Sequence, residues 1–298
     1  MGYILVTPAK NEEKNLPKLV QSVVQQTVKP VLWVIVDDGS TDNTPNIIRE
    51  AREKYDWIQS FRLKEGKRDL GKHVYRVYKL GFDYAINYCK VYNLQYEYLG
   101  NIDADMTIET QFFDKLIKEF KKNPRLGVAS GSVYSNINNK LIIENDRDDL
   151  PSGGIRLWRR ECFEETGGYL ISYSADSVSN VLAKLRGWET RRFEEIKAMQ
   201  ARKTSSAEGL WKGYKYHGES AYFRNYHPLF VLAKGLKLLF KSPYYMGIAY
   251  LYGYFSSVLR RMDKIDNVEV KEYYYHQKHK EAMEYYKNIL KNKLNWGR

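Results

Sequence analysis

The chain has 298 residues, of which 43% are hydrophobic and 14% aromatic, and its formal net charge is +12. This composition excludes a disordered chain, and the length allows one large core with an appended segment. The positive charge favours anionic partners: phosphorylated small molecules, nucleic acid or an acidic membrane surface.

The first predicted element is a buried strand over residues 3–7, with the sequence YILVT. Its apolar run is too short for a signal peptide, and no basic segment precedes it. The two cysteines, Cys89 and Cys162, argue against a disulfide framework and suit a reducing compartment. We therefore expect a cytoplasmic protein.

Strands and helices then alternate through the first half of the chain. Further strands are predicted at residues 31–36, 60–63 and 98–103, and apolar residues spaced three or four apart indicate helices between them. This alternation predicts an α/β fold built on a mostly parallel, doubly wound sheet flanked by helices.

Polar clusters follow three of the predicted strands, at residues 7–13, 37–42 and 103–105. Parallel sheets bind ligands beyond the carboxyl ends of their strands, so these clusters predict one site. Asp103 and Asp105 would lie on the same side of an extended strand, where their charges repel. A Mg²⁺ or Mn²⁺ ion between them and a substrate phosphate would offset that repulsion.

The second half of the chain has a weaker pattern. Its predicted elements are a strand at 127–134, a polar loop at 136–149, turns at the glycine pairs 153–154 and 167–168, a helix through 181–185, a strand at 190–195 and a mobile loop at 204–226. Helices are predicted from Pro228 onward. The predicted domains are therefore residues 1–227 and a helical C-terminal extension, 228–298.

Residues 242–259 form a segment without charge, flanked by basic residues on both sides. Its length is near the lower limit for a membrane-spanning helix, but its five tyrosines, two glycines and proline make it weakly apolar. The favoured interpretation is a helical hairpin at the membrane interface. A helix docked on the protein body and a true span remain open alternatives.

Four motifs in order, TPAKNEE, VDDGSTDNT, GNIDADM and SADSVSNVLAKLRGW, resemble those of the family 2 glycosyltransferases. The resemblance covers roughly residues 3–195 and implies the nucleotide-sugar-binding GT-A fold. It implies that Pro8, Ala9 and Glu12 shape the nucleotide pocket. Asp38, or its neighbour Asp37, would hydrogen-bond the base.

The same resemblance implies which residues contact the diphosphate, bind the metal and act as the base. Asp103 would lie by the ribose and diphosphate, Asp105 would bind the metal, Lys72 would face the diphosphate, and Asp176 would be the catalytic base. An aspartate at the start of a helix stays ionised and can accept the acceptor's hydroxyl proton. His217 is a candidate third metal ligand.

Two features of the sequence depart from the family pattern, and two cations add to the predicted site. Ala175 and Ser177 flank Asp176, where family members often have an acidic residue, and the Gln-x-x-Arg-Trp motif of processive members is missing. This favours transfer of single sugars over polymerisation. Lys72 and Arg156 are the favoured cations for neutralising a diphosphate or a phosphorylated acceptor.

The sequence therefore predicts a metal-dependent inverting glycosyltransferase that uses a nucleotide-diphospho-sugar and Mn²⁺ or Mg²⁺. Its acceptor would be a hydroxyl of a surface glycan or of a lipid-linked molecule, reached by peripheral contact with the inner face of the cell membrane. No nucleic-acid partner is expected. The alternatives are a sugar-phosphate nucleotidyltransferase and a non-enzymatic basic module that binds membrane or nucleic acid.

Overall fold

The computed structural model describes residues 2–64, 72–137, 140–143, 147–202, 209–281, 283–284 and 287. The chain divides into two compact units, Met1–Thr204 and Ser205–Arg298. In the described part of the first unit, nine strands form one sheet: β1 Tyr3–Ala9, β2 Leu32–Asp37, β3 Ile58–Arg62, β4 Tyr98–Ile102, β5 Met106–Ile108, β6 Leu126–Ile137, β7 Lys140–Ile143, β8 Ile155–Arg159 and β9 Glu189–Gln200.

Helices cover both faces of this sheet. They are α1 Leu16–Val24, α2 Thr44–Lys54, α3 His73–Val91, α4 Phe112–Lys122, α5 Arg160–Glu165 and α6 Ala175–Leu185. Successive strand residues alternate between the two faces, so Leu5 and Trp33 join one buried core while Ile4 and Val34 join the other. Each fully buried large side chain of this kind contributes about 2 kcal/mol to folding.

The strand order is β3-β2-β1-β4-β8-β6-β9-β5, and β7 pairs with β6. Strands β1 to β4 run parallel, whereas β8 pairs antiparallel with both β4 and β6. The chain moves outward from β1 to β3 and then returns to the other side of β1 as β4. The predicted α/β class is confirmed, and the crevice beyond β1 and β4 is where such a sheet binds ligands.

Two details of the first unit differ from the sequence prediction. β4 ends at Ile102, and the Met106 N–H donates to the Asp103 carbonyl at 3.1 Å, so residues 103–106 form a turn rather than extended strand. The loop predicted at 136–149 is wrong in part, because β6 continues to residue 137 and β7 pairs with it.

The second unit is helical where it is described. It contains α7 Leu210–Phe223, α8 Pro228–Leu239, α9 Tyr245–Leu259, α10 Val268–Glu272 and one π-helical turn, Tyr273–Gln277. The loop predicted at 204–226 is wrong over residues 210–223. The predicted boundary at 227 lies inside this unit, since α7 packs backbone to backbone on α9 at Gly218 and Gly253.

The uncharged segment at 242–259 folds mainly as α9, which follows α8 through a short connection. Among the described residues, no helix combines the length and the hydropathy that crossing a bilayer requires.

Candidate functional site

The turn after β1 is fastened to the turn after β2. The Asp38 N–H donates to the Ala9 carbonyl at 2.8 Å, and the Glu12 N–H donates to Thr44 Oγ1 at 2.8 Å. Glu12 and Asp38 are both buried, at 4% and 5% exposure. Pro8 and Ala9 are the last two residues of β1 and hold this turn at the edge of the sheet.

The two aspartates of the second turn have different partners. Asp37 Oδ1 accepts from the Ser40 N–H at 2.9 Å, and Asp37 Oδ2 lies 3.3 Å from Arg62 Nε, so this residue fixes the turn itself. Asp38 instead lies 2.9 Å from His73 Nε2 and 3.7 Å from Lys10 Nζ. Both predicted base-binding carboxylates therefore contact side chains from other elements, Asp37 from β3 and Asp38 from α3.

Asp103 begins the turn after β4 and is held by a buried phenol. Tyr78 of α3 donates a short hydrogen bond to Asp103 Oδ1, and the Asp103 N–H donates to the Gly154 carbonyl at 2.8 Å. Burial raises the pKa of Tyr78 well above its usual value, and the charge of Asp103 raises it further. The phenol therefore keeps its proton and remains a donor.

Asp105 is held by an arginine from the far end of the unit. Arg202 Nε donates to Asp105 Oδ2 at 3.0 Å, and its terminal nitrogen pairs with Glu12 Oε1. Burial alone would lower the pKa of Arg202, but the hydrogen bonds and charges of Glu12 and Asp105 raise it. One guanidinium thus joins the ends of β1 and β4 across the crevice.

This arrangement changes the explanation of the Asp103–Asp105 pair. Because β4 ends before Asp103, the two carboxylates do not follow strand alternation, and each has its own partner. Tyr78 and Arg202 therefore relieve the charge crowding within the chain. Whether a cation also bridges Asp103 and Asp105 to a substrate phosphate stays a prediction.

Asp176 approaches the same turn through two consecutive glycines. It lies in the first turn of α6, and a Cβ added at Gly153 would lie 3.1 Å from Asp176 Oδ2. A Cβ added at Gly154 would lie 2.7 Å from Asp103 Oδ2. Each carboxylate therefore packs against one of two consecutive glycines, and the position of Gly154 leaves no room for a side chain beside Asp103.

Arg156, a predicted diphosphate ligand, is 1% exposed. Its guanidinium donates to the carbonyls of Pro151 at 2.9 Å, Ser152 at 2.7 Å and Asp176 at 3.1 Å, and to Asn180 Oδ1 at 3.0 Å. These bonds tie the segment before the glycine pair to the start of α6. In this structure Arg156 positions Asp176 through its backbone.

The other predicted cation, Lys72, immediately precedes α3 and is exposed. Its ammonium lies 5.5 Å from the ring centre of Tyr173, three residues before Asp176. The preceding Gly71, which the resemblance pairs with it, lies outside the described residues. Lys72 therefore lies beside the loop that precedes α6 and Asp176.

His217, the candidate third metal ligand, lies on α7 in the second unit. Its ring packs 5.7 Å from that of Tyr214 and 6.2 Å from that of Tyr216. Its role as a ligand together with Asp105 stays a prediction.

Carboxylate oxygens are the ligands that Mg²⁺ and Mn²⁺ prefer, and Mg²⁺ uses one or two of them with water and phosphate oxygens. In the part of the chain that the structure describes, no three His, Cys, Asp or Glu side chains form a ready metal cluster. Asp105 and Asp103 supply the one or two carboxylates that such a cation needs. Asn101 Oδ1, buried without a hydrogen-bond partner among the described residues, is a further unsatisfied acceptor beside them. The residues present therefore fit such a cation if Arg202 shares or releases Asp105.

Several residues of this site were not predicted from the sequence: Tyr78, His73, Asn101 and Arg202. Arg202 lies 97 residues from Asp105 and 190 from Glu12, so no local spacing connects them. His73 and Tyr78 share one helix with an ordinary apolar pattern. The one available signal was Asn101, which is a polar residue in a strand whose neighbours are apolar.

Comparisons with known proteins identify the family of this chain. The family model "Glycosyl transferase family 2" matches residues 4–176. A poly-beta-1,6-N-acetyl-D-glucosamine synthase of Staphylococcus epidermidis is 29% identical over 132 residues, which are 44% of this chain and 28% of that protein. The chain thus matches less than a third of the length of that relative.

Solved structures with the same fold are distant in sequence. TarS from S. aureus, in complex with UDP-GlcNAc, superposes with a TM-score of 0.54 at 15% identity, covering 86% of this chain and 73% of that one. A mannosyltransferase from Pyrobaculum calidifontis, in complex with GDP-Man and Mn²⁺, gives 0.52 at 16% identity, covering 84% and 69%. These likenesses confirm the predicted GT-A fold.

Proposed function

The chain belongs to glycosyl transferase family 2, and from that membership we propose that it moves a sugar from a nucleotide-diphospho-sugar to a hydroxyl acceptor. The first unit carries the reaction, and the transfer inverts the anomeric centre. The relative and the solved structures above support the class of donor, because they include a glucosamine-polymer synthase and complexes with UDP-GlcNAc and GDP-Man.

One observation carries the proposal: the carboxylates of Asp103 and Asp176 each pack against one of two consecutive glycines, Gly154 and Gly153. An inverting transfer needs a base on the acceptor's side and charge control on the leaving diphosphate's side. One carboxylate can serve as the base, and the other can help to hold a cation that would stabilise the leaving diphosphate. In this assignment Asp176 accepts the acceptor's proton, and Asp103 lies toward the ribose and diphosphate.

Positive charge lies close to Asp176. The N-terminal end of α6 carries partial positive charge, and the buried Arg156 adds a full charge beneath it. Because Arg156 contacts the main chain of Asp176 and not its carboxylate, it orients the base without neutralising it. We assign Arg156 this positioning role in place of direct diphosphate binding.

The nucleotide lies in this proposal across the ends of β1 and β2. Pro8, Ala9 and Glu12 shape the pocket, and Asp38 hydrogen-bonds the base while His73 and Lys10 hold its carboxylate. Lys72 faces the diphosphate. A Mn²⁺ or Mg²⁺ ion bound by Asp105, with Asp103 close by and His217 as a candidate ligand, would stabilise the negative charge of the leaving diphosphate.

The acceptor is proposed to be a surface glycan or a lipid-linked molecule. The sequence lacks the Gln-x-x-Arg-Trp motif, which favours addition of one sugar at a time. The reaction takes place in the cytoplasm, and the helices after residue 227 bring the protein to the inner face of the cell membrane by peripheral contact.

A screen of nucleotide sugars for Mn²⁺-dependent hydrolysis tests the proposal, because slow attack by water reveals the donor without the acceptor. With the donor identified, Asp176→Asn is expected to keep donor affinity while turnover falls about a thousandfold, since general-base catalysis contributes on that order. Turnover near normal would show that the base lies elsewhere.

Asp114→Asn is the matched control, because Asp114 also lies in the first turn of a helix of the same unit. It loses the same helix-end interaction as Asp176→Asn but is expected to leave turnover unchanged. Absence of hydrolysis with every nucleotide sugar, together with no nucleotide binding, would contradict the proposed function itself.

A further inference from the structure

Helix α9 exposes an entire face of apolar and aromatic side chains. Tyr245, Ile248, Tyr252, Phe255 and Leu259 recur at helical spacing and are between 40% and 84% exposed. No charged residue lies in this helix. A solvated helix of a globular protein normally places charged residues on such a face.

Helix α8 presents a second row of the same kind. Leu229, Leu232, Leu236 and Phe240 recur at intervals of three or four, and Phe240 is 87% exposed. The two helices are antiparallel, since Gly235 packs on Leu251 while Gly247 packs on Leu239. Because both rows follow the helical repeat, they lie on the same side of the contact between α8 and α9. Together they form one surface, which we call the α8–α9 face.

The α8–α9 face is supported from behind by close helix packing. A Cβ added at Gly218 of α7 would collide with the Tyr250 carbonyl oxygen of α9, and one added at Gly253 with the Lys215 carbonyl oxygen. The backbones of α7 and α9 therefore touch. Trp211 of α7 extends the surface, with its ring 6.3 Å from that of Tyr245 and 6.4 Å from that of Tyr252.

The charged residues within 228–261 all have one sign. Residues 228–261 contain no Asp or Glu, but they include the exposed Lys237, Lys241, Arg260 and Arg261. The ammonium of Lys234 instead lies 5.1 Å from the ring centre of Tyr250, and burial lowers its pKa to about 8. Lys237 and Lys241 follow the exposed row of α8 along one edge, and the arginines follow the end of α9. An apolar face bordered by cations matches the chemistry of an anionic lipid surface.

We infer that the α8–α9 face docks the protein on membranes that contain anionic lipids, with Trp211 and the tyrosines at headgroup level. This docking extends the peripheral contact of the proposed function and does not depend on sugar transfer. A second copy of the chain suits the face less well. A twofold contact would bring the same cations together, and the segment offers no carboxylate to pair with them.

The test is co-sedimentation of the full-length protein with vesicles of phosphatidylcholine, alone or mixed with phosphatidylglycerol. Binding is expected for the mixed vesicles, with weak binding to phosphatidylcholine alone. Tyr252→Glu combined with Phe255→Glu should lower partitioning at least about tenfold, because binding scales with the apolar area buried in the membrane. Lys241→Glu with Arg261→Glu should lower it on the mixed vesicles by about thirtyfold, since each cation near the surface contributes about 1 kcal/mol.

Each pair of substitutions has a matched control on the first unit. Val91→Glu with Tyr92→Glu alters two apolar residues that are 67% and 61% exposed, and Lys14→Glu with Lys18→Glu makes the same charge change. Both controls should bind mixed vesicles like the wild type. Thermal melting and nucleotide binding of all variants distinguish loss of docking from loss of folding or of the donor site.

Two results would overturn the inference. One is equal partitioning of the wild type and of both α8–α9 variants. The other is a wild-type dimer that ignores vesicles and that Tyr252→Glu with Phe255→Glu converts to a monomer. The second result would assign the face to a copy of this chain instead.

Discussion

The two units of the molecule treat charge in opposite ways. The first unit buries Glu12, Asp38 and Asp105 and gives each carboxylate a cationic partner from another loop. The second unit leaves the exposed faces of α8 and α9 apolar, and residues 228–261 contain cations without a carboxylate. Buried charge with arranged partners indicates a site for small charged ligands. Exposed apolar area bordered by one sign of charge indicates a surface for a larger partner.

The two units also achieve rigidity differently. In the first unit long-range ion pairs and a parallel sheet hold the site, as when Arg202 joins the ends of β1 and β4. In the second unit glycines let helices touch, and no ion pair crosses the α7–α9 contact at Gly253 among the described residues. Substitutions in the two units should therefore differ in kind as well as in size.

The largest effect is expected at the α7–α9 contact. Gly253→Ala places a methyl group against the Lys215 carbonyl and should destabilise the second unit by about 3 kcal/mol. Hydrogen exchange measured by mass spectrometry should then show amides of α7 and α9 exchanging about a hundredfold faster, with amides of β1 and β4 unchanged.

Ile248→Ala is the control on the same helix, because Ile248 is 55% exposed and packs little. It should leave exchange near the wild-type rate. If Gly253→Ala accelerated exchange equally in both units, the units would unfold together and the contrast drawn here would fail.

A smaller loss is expected when the partner of buried carboxylates is removed. Arg202→Ala leaves Glu12 and Asp105 facing each other without a cation and should lower the free energy of unfolding by about 2 kcal/mol, less than for a fully buried pair because Arg202 is 36% exposed. Chemical denaturation measures this loss. Added Mn²⁺ should restore part of it in the variant.

Arg125→Ala is the comparison, since Arg125 pairs with Glu189 at 2.8 Å but is 78% exposed. Exposed pairs of this kind contribute about 0.5 kcal/mol. Equal losses of unfolding free energy for Arg125→Ala and Arg202→Ala would mean that the Glu12–Arg202–Asp105 contact stabilises the fold no more than an exposed ion pair does.

The smallest effect is expected at Asp149, which forms ion pairs with Arg147 and with Lys184 in the last turn of α6. Partial burial alone would raise the pKa of Asp149, but hydrogen bonds from Arg147 and Lys184 lower it to about 2. A carboxylate with a lowered pKa stabilises the fold above its unfolded value near 3.8, and this contribution is lost as the pH falls toward 2. Because the side chain is 36% exposed, Asp149→Asn should cost about 1 kcal/mol at neutral pH.

Denaturation at a series of pH values checks whether the stabilisation by Asp149 is lost on acidification. The difference between the wild type and Asp149→Asn should stay constant from pH 7 to 5 and shrink below about pH 4. A difference that grew on acidification would contradict the assigned ion pairs. Asp83→Asn removes an exposed pair with Lys79 and should change little at any pH.

The sequence predicted the first unit better than the second for a physical reason. Strands β1, β2 and β4 are continuous apolar runs with polar residues where each ends, so local pattern and tertiary environment agree. In α7, Gly213 and Gly218 lower helix propensity and suggested a loop. The close contact of Gly218 with α9, which compensates for that cost, depends on residues more than 30 positions away.

The residues of the site also divide into those that the sequence predicted and those that it did not. Glu12, Asp38, Asp103 and Asp176 follow recognisable motifs, and the structure brings them to the ends of neighbouring elements. The role of Arg156 was predicted differently, because a sequence does not tell a buried arginine from one that lines a pocket. The contacts of Arg202 were not predicted, because its partners Asp105 and Glu12 follow two distant strands, β4 and β1.

The central claim is that the carboxylates beyond β1, β2 and β4 form a site for a nucleotide diphosphate, and calorimetric titration tests it most directly. UDP, GDP, CDP and TDP are titrated into the wild type with Mn²⁺, and into Asp38→Asn, Asp105→Asn and the control Asp114→Asn. We expect at least one nucleotide to bind the wild type and the control equally, and to bind Asp38→Asn and Asp105→Asn at least about tenfold more weakly. Binding of none of the four nucleotides, or binding that both site variants leave unchanged, would contradict the claim.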